Sequence, residues 1–131
     1  MSRQPKTREG QPRSQRQLRV GELVRHAISD LLNRGVIHDP VLETRVVTVP
    51  EVRMSPDLKN ATVFIVPLGG DSIEDVLSAL RHHVRFIRGE VAKAVQLRNA
   101  PHLTFQADTS FDEADKISEL LARPEVRRDL D

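Results

Sequence analysis

The 131-residue chain contains no cysteine, no tryptophan and no tyrosine. Without cysteine it can form neither a disulfide nor a thiolate-ligated zinc site, which fits a reducing compartment. Four phenylalanines are its whole aromatic complement. Modules that read single-stranded bases usually offer stacking platforms, so this composition favours contact with backbone and shape over base-specific readout. No apolar run approaches the roughly 18 residues of a membrane span. The N-terminus, Met1 to Arg16, lacks the apolar stretch of a secretory leader. A soluble cytoplasmic protein with no membrane partner is expected. Catalytic signatures are missing as well: there is no His-Glu-x-x-His pair, no Gly-x-Ser-x-Gly elbow and no phosphate-cradling glycine loop. Gly69-Gly70 reads as a turn. His82 and His83 are adjacent and point about 100° apart on a helix, a poor arrangement for sharing a metal. The expectation is a protein that is not an enzyme and uses no cofactor and no metal.

What is present suits one small domain. Apolar residues make up 38% of the chain and charged residues 30%, enough for a modest core. The net charge of +1 hides an asymmetry. Met1 to Val20 carries six bases and one acid, whereas Asp108 to Asp131 carries eight acids and four bases. Residues 1–15, rich in Gln, Pro, Ser, Arg and Gly, read as a disordered basic arm. Residues 16–122 read as the folded domain and 123–131 as a flexible tail.

The periodicity predicts the elements. Leu18, Leu23, Ala27, Ile28, Leu31 and Leu32 fall at helical spacing, giving a helix from about Gln17 to Arg34 that Gly35 ends as a left-handed cap. His38-Asp39-Pro40 follows as a turn or loop. Arg45 to Met54 reads as a strand in which Pro50 marks an edge position or a bulge. Ser55-Pro56-Asp57 supplies turn chemistry. Ala61 to Val66 is a second strand, nearly all apolar and so expected to be covered on both faces, and the two strands form an antiparallel hairpin. Asp71 or Ser72 caps a long helix with Glu74 and Asp75 in its first turn, and its apolar stripe is Leu77, Leu80, Val84, Ile87, Val91 and Val95. Gly89 is its weakest point. His102 to Ala107 alternates as a half-buried strand. Ser110 and Glu113 then form a capping box for a short closing helix through Ile117, Leu120 and Leu121. Phe64 and Phe105 are expected in the core and Phe86 half-exposed.

One surface stands out. At about 100° per residue, Arg81, Arg85 and Arg88 share a face of the long helix, and Lys93 and Arg98 extend the positive charge toward its end. The planar fork of arginine suits phosphate. Cations late in a helix also favour its negative end, so the basic face points to nucleic acid only in combination with the basic arm and the fold. Arg19, Arg25 and Lys59 are secondary candidates. The competing reading is a protein-protein interaction module that docks through its long helix.

An ordered set of short motifs then carries a resemblance. It comprises Arg19-Val20-Gly21-Glu22-Leu23, Asp39-Pro40-x-Leu42, Thr48-Val49-x-x-Val52-x-x-Ser55-Pro56-Asp57-Leu58-x-x-Ala61-x-Val63, Phe86-Ile87-Arg88, and Leu97-Arg98-x-x-Pro101-x-Leu103-x-Phe105-x-x-Asp108-x-Ser110. From about Arg16 to Leu121 the chain resembles the ribosome-binding factor A family. The resemblance implies an α+β, KH-like domain of the second type, in helix-strand-strand-helix-helix-strand order, with a three-stranded sheet, helices packed on one face and a short C-terminal helix. It implies a bacterial, non-catalytic monomer, linked to cold adaptation, that binds the free small (30S) ribosomal subunit. The family assists late maturation of 16S rRNA and leaves the particle with the help of an assembly GTPase. In the family an Ala-x-Gly step kinks the long helix. Here His83-Val84-Arg85 occupies those positions, which predicts a shallower bend or one displaced toward Gly89.

Overall fold

A computed structural model describes residues 12–68, 73–97 and 99–109. The elements run α1 (Gln15–Arg34), α2 (Pro40–Thr44), β1 (Val47–Met54), β2 (Asn60–Pro67), α3 (Ile73–His82), α4 (Val84–Val95) and β3 (His102–Ala107). This is the α+β order expected, with one addition. Where a turn or loop was predicted, α2 forms a short helix, because Asp39 accepts the Val41 N–H and Pro40 occupies the first helical position. The segments 1–11, 69–72 and 110–131 lie outside the described residues, as does Arg98. The most basic part of the arm, the Asp71 or Ser72 cap, the closing helix and the C-terminal tail therefore carry no structural account.

The start of α1 lies slightly earlier than periodicity predicted. Ser14 and Gln17 make a reciprocal capping box: the Gln17 N–H donates to Ser14 Oγ at 3.1 Å and the Ser14 N–H to Gln17 Oε1 at 2.9 Å. Gln15 is thereby helical rather than part of a disordered arm. Gly35 closes the helix at φ 66°, the left-handed conformation glycine adopts without a Cβ penalty.

The sheet order is β1-β2-β3, with β1 and β2 antiparallel and β2 and β3 parallel. Pro50 meets both expectations, since β1 is an edge strand and its register shifts between Thr48 and Glu51. The hairpin loop closes through the Leu58 N–H on the Ser55 carbonyl at 2.9 Å. Asp57 Oδ1 accepts from Ser55 Oγ at 2.6 Å and from the Lys59 N–H at 3.0 Å. Leu58 turns the corner at φ 62°. Its half-buried side chain packs on the core, which offsets a cost of about 1–2 kcal/mol for a non-glycine residue there.

All the helices that pack on the sheet cover one face of it. Val24, Ile28, Val63, Ile65, Val76, Leu80, Ile87, Val91 and Phe105 are almost fully buried between the layers. The expectation that β2 is covered on both faces is corrected: Ala61, Val63 and Ile65 are buried, whereas Thr62, Phe64 and Val66 are half-buried on the opposite side. Phe64 is likewise not a core residue. Its ring lies on the helix-free face under the Arg53 guanidinium, 5.1 Å from the ring centroid. An apolar run can cover one face of an antiparallel pair by lateral contact alone, and periodicity does not distinguish that from true burial.

Candidate nucleic-acid interface

The site is organised by how the helices meet the sheet's two outer edges. In β1 the carbonyls of Met54, Val52 and Val49 face α1. Gln17 Nε2 donates to the Met54 carbonyl at 3.1 Å, Gly21 lies against the Val52 carbonyl, and Arg25 Nη1 reaches the Val49 carbonyl at 3.5 Å. Positions 17, 21 and 25 are one helical face, so α1 runs along the edge and satisfies it. At the opposite edge, Arg81 Nη2 donates to the Phe105 carbonyl of β3 at 3.3 Å. Arg88 grips the approach to that strand, with Nε on the Pro101 carbonyl at 3.0 Å and Nη2 on the Ala100 carbonyl at 2.9 Å. These carbonyls are neutral, so both guanidiniums keep their full charge and several of their five donors.

The break between α3 and α4 falls at His83, not toward Gly89, which sits inside the continuous turns of α4. His83 leaves the helical region at φ −103°, ψ 17°. Its N–H is shared between the Ala79 and Leu80 carbonyls, both at 3.2 Å. Its side chain explains the position: Nε2 lies 2.9 Å from Asp39 Oδ2, the carboxylate that also caps α2. A tertiary hydrogen bond thus marks the break. Burial pushes the Asp39 carboxyl up, but the Val41 N–H and the His83 ring outweigh it, so the group titrates below the usual carboxylate range.

The eight candidate cations separate clearly. Arg81 and Arg88 hold carbonyls on the β3 side, and no carboxylate among the described residues pairs with them or with Arg85. Arg85 is exposed on α4, just past the break. Lys59 is exposed in the hairpin loop, and its carbonyl accepts the His102 N–H at 2.9 Å, next to the Pro101 that Arg88 holds. Lys93 is neutralised by Glu90 at 3.0 Å. Arg25 is forked onto Glu22 at 2.6 and 2.9 Å. That hydrogen bonding raises the Arg25 pKa and lowers that of Glu22. Arg25 belongs to the β1 edge, across the sheet from Arg81. Arg19 is exposed on α1. Arg98 lies outside the described residues.

Other faces suit a polyanion less well. On the helix-free face of the sheet, Glu51 lies 2.7 Å from Arg53 and 3.6 Å from Arg13. On α1, Arg34 pairs with Asp30 at 2.8 Å. The cleft between α1 and α4 holds about 210 Å³ and is lined by both charge signs, including Asp30, Arg34, Glu90 and Lys93. Among the described residues no group of three His, Asp or Glu could hold a metal ion, and no helix is long and apolar enough to cross a membrane. Nothing in the local sequence signals the Arg53–Phe64 contact or the Asp39–His83 pair, whose partners lie far apart along the chain. Phe86, expected half-exposed, is 45% exposed beside Arg85.

The profile of the ribosome-binding factor A family matches residues 16–121. The chain is 58% identical to the ribosome-binding factor A of Beijerinckia indica over all of its own length and 92% of that relative. The chain belongs to the ribosome-binding factor A family. A second member, from Rhodopseudomonas palustris strain HaA2, is 59% identical over 92% of this chain and 90% of the relative. Among solved structures, the crystal structure of ribosome-binding factor A from Thermus thermophilus superposes with a TM-score of 0.59 at 24% identity, covering 70% of this chain and 94% of that one. A Thermus thermophilus homology model fitted into the cryo-electron microscopy map of a 30S complex has a TM-score of 0.57 at 23% identity, covering 71% and 96%. These superpositions agree with the KH-like arrangement of a ribosome-binding factor A domain.

Proposed function

We propose that this member of the ribosome-binding factor A family binds the free small ribosomal subunit in the cytoplasm and assists late maturation of 16S rRNA without catalysing a reaction. The observation that carries the reading is the row of Arg81, Arg85 and Arg88, unopposed by any carboxylate among the described residues. Hydrogen bonds to strand and loop carbonyls fix two of the three guanidiniums in place before any partner arrives. Fixed guanidiniums lose less freedom when they meet a phosphate ridge, and contacts of this kind orient a protein on folded RNA without reading its sequence. Family membership supports the choice of partner, as does the Thermus relative placed on a 30S particle.

Three phosphate contacts predict that affinity for small subunits falls about 40-fold between 50 and 200 mM salt. Co-sedimentation with purified small subunits across that range measures the slope. Reversing Arg81 and Arg85 to Glu should abolish most of the binding at low salt. Arg88 is left intact because it makes two short carbonyl contacts to Arg81's one longer one, so its reversal would disturb the fold more. Binding that is insensitive to salt, or that survives both reversals, would remove this surface from the reading. Capture that persists after ribonuclease digestion would favour a protein partner for the helix.

A further inference from the structure

We propose that Phe86 is a stacking platform for one unpaired nucleobase of the RNA that the arginine row grips, an inference that rests on the small-subunit reading above. Phe86 keeps 45% of its surface in solvent although it lies on a helix whose neighbouring apolar residues, Ile87 and Val91, are fully buried. The other exposed large apolar side chains among the described residues, Leu18, Leu23, Val46 and Leu68, are all aliphatic. Phe86 alone among them offers an aromatic face.

The surroundings leave that face open on one side. A helical side chain leans toward the preceding turn, so the residue three positions on would ordinarily fold back over position 86. That residue is Gly89, and even a Cβ built there would meet nothing within 4 Å. Arg85, the preceding residue, and His82, one turn before, are also exposed. From Ser78 to Gly89 the exposed positions of this face, Ser78, Arg81, His82, Arg85, Phe86 and Gly89, include no acid; the exposed acids of α3, Glu74 and Asp75, lie in its first turn, about three turns before the ring. The nearest carboxylate along α4, Glu90, is half-buried and held by Lys93 at 3.0 Å. An exposed aromatic ring among uncompensated guanidiniums matches a π-face attached to an anionic backbone. A protein partner for the same patch would have to supply acids and an apolar pocket together. Duplex RNA keeps its bases stacked and presents no free face, so the occupant is a base in a loop, bulge or strand end.

The chain's own composition supplies the test. It has no tryptophan and no tyrosine, so Phe86→Trp introduces a single fluorophore at the proposed platform. Titration with purified small subunits at low salt should quench the emission, as stacking on a base does. A blue shift with increased intensity would place the ring in a protein pocket and overturn the proposal. Emission left unchanged while the protein co-sediments would overturn it too and leave the small-subunit reading standing. If the wild-type chain itself fails to co-sediment, both readings fall. Phe86→Leu provides a readout independent of the fluorophore. Loss of one stacked base lowers affinity by about 5- to 150-fold, and the salt slope stays that of the wild type because no counterion is involved. Arg85→Ala, in contrast, lowers the slope by about one unit. Wild-type affinity in Phe86→Leu would overturn the proposal.

Discussion

Replacing Gly21 and Gly89 separately by alanine should move stability in opposite directions. Both glycines are helical, and in an isolated helix alanine is favoured over glycine by about 1 kcal/mol. At Gly89 a new methyl meets open space, so Gly89→Ala should stabilise the domain by about 0.5–1 kcal/mol, raising Tm by roughly 3–5 °C for a domain of this size. At Gly21 the methyl would stand 2.7 Å from the Val52 carbonyl oxygen, well inside van der Waals contact. That oxygen belongs to a strand and cannot swing aside as a side chain could. Helix α1 must therefore lift away from β1, loosening Val20, Val24 and Ile28 and stretching the Gln17 contact to the Met54 carbonyl. Overpacking of this kind costs about 2–3 kcal/mol. After subtracting the helix preference, the net loss is about 1–2 kcal/mol, or roughly 5–10 °C in Tm. Urea unfolding followed by circular dichroism measures both variants against the wild type. Equal stabilisation by the two substitutions would refute the close approach of α1 to the sheet edge. Equal destabilisation would refute the open surroundings of Gly89.

The arginines should divide by role: Arg88→Ala loses about 1–2 kcal/mol with its two carbonyl contacts, whereas Arg85→Ala changes stability by less than about 0.5 kcal/mol, both read by thermal melting. Asp39→Ala should cost about 1–2 kcal/mol in urea unfolding through loss of the α2 cap. Because the folded Asp39 carboxyl titrates below its unfolded value, its charged form contributes stability that is fully present above about pH 4 and lost as pH falls through the folded pKa. The stability difference between wild type and Asp39→Asn should therefore shrink on acidification below about pH 4, and a difference that grows would contradict the assignment. Removing the buried ring in Phe105→Ala should cost about 3–5 kcal/mol and leave little folded protein, while Phe86→Leu melts like the wild type.

Much of the fold was legible in the residues. Leu77, Leu80, Ile87 and Val91 recur on one helical face and are buried on it. Alternation in Leu103, Phe105 and Ala107 marked the third strand and its inner face. Gly35 and Pro50 did what their restricted chemistry allows, ending a helix and displacing a strand register. The basic row was expected on one continuous helix, but the break at His83 puts Arg81 on α3 and Arg85 and Arg88 on α4. Which of the candidate cations would be neutralised was not legible: the pairing of Arg25 with Glu22 and of Lys93 with Glu90 is spaced i to i+3, but whether each cation turns to the acid or to a carbonyl depends on what stands beside it.

The sequence by itself determined most of the elements and their order, because periodicity is a local property of the chain; it missed α2 and put Leu18 and Leu23 on the apolar stripe of α1, where both are exposed. Tertiary structure alone decided that His83 rather than Gly89 takes the break, that Phe64 faces away from the core, and that Arg81 and Arg88 brace the β3 side as Gln17, Gly21 and Arg25 line the β1 edge. Each of those outcomes is set by a hydrogen bond or contact between residues on different elements, and periodicity records which side of an element is apolar without recording which carbonyl, ring or carboxylate will meet it.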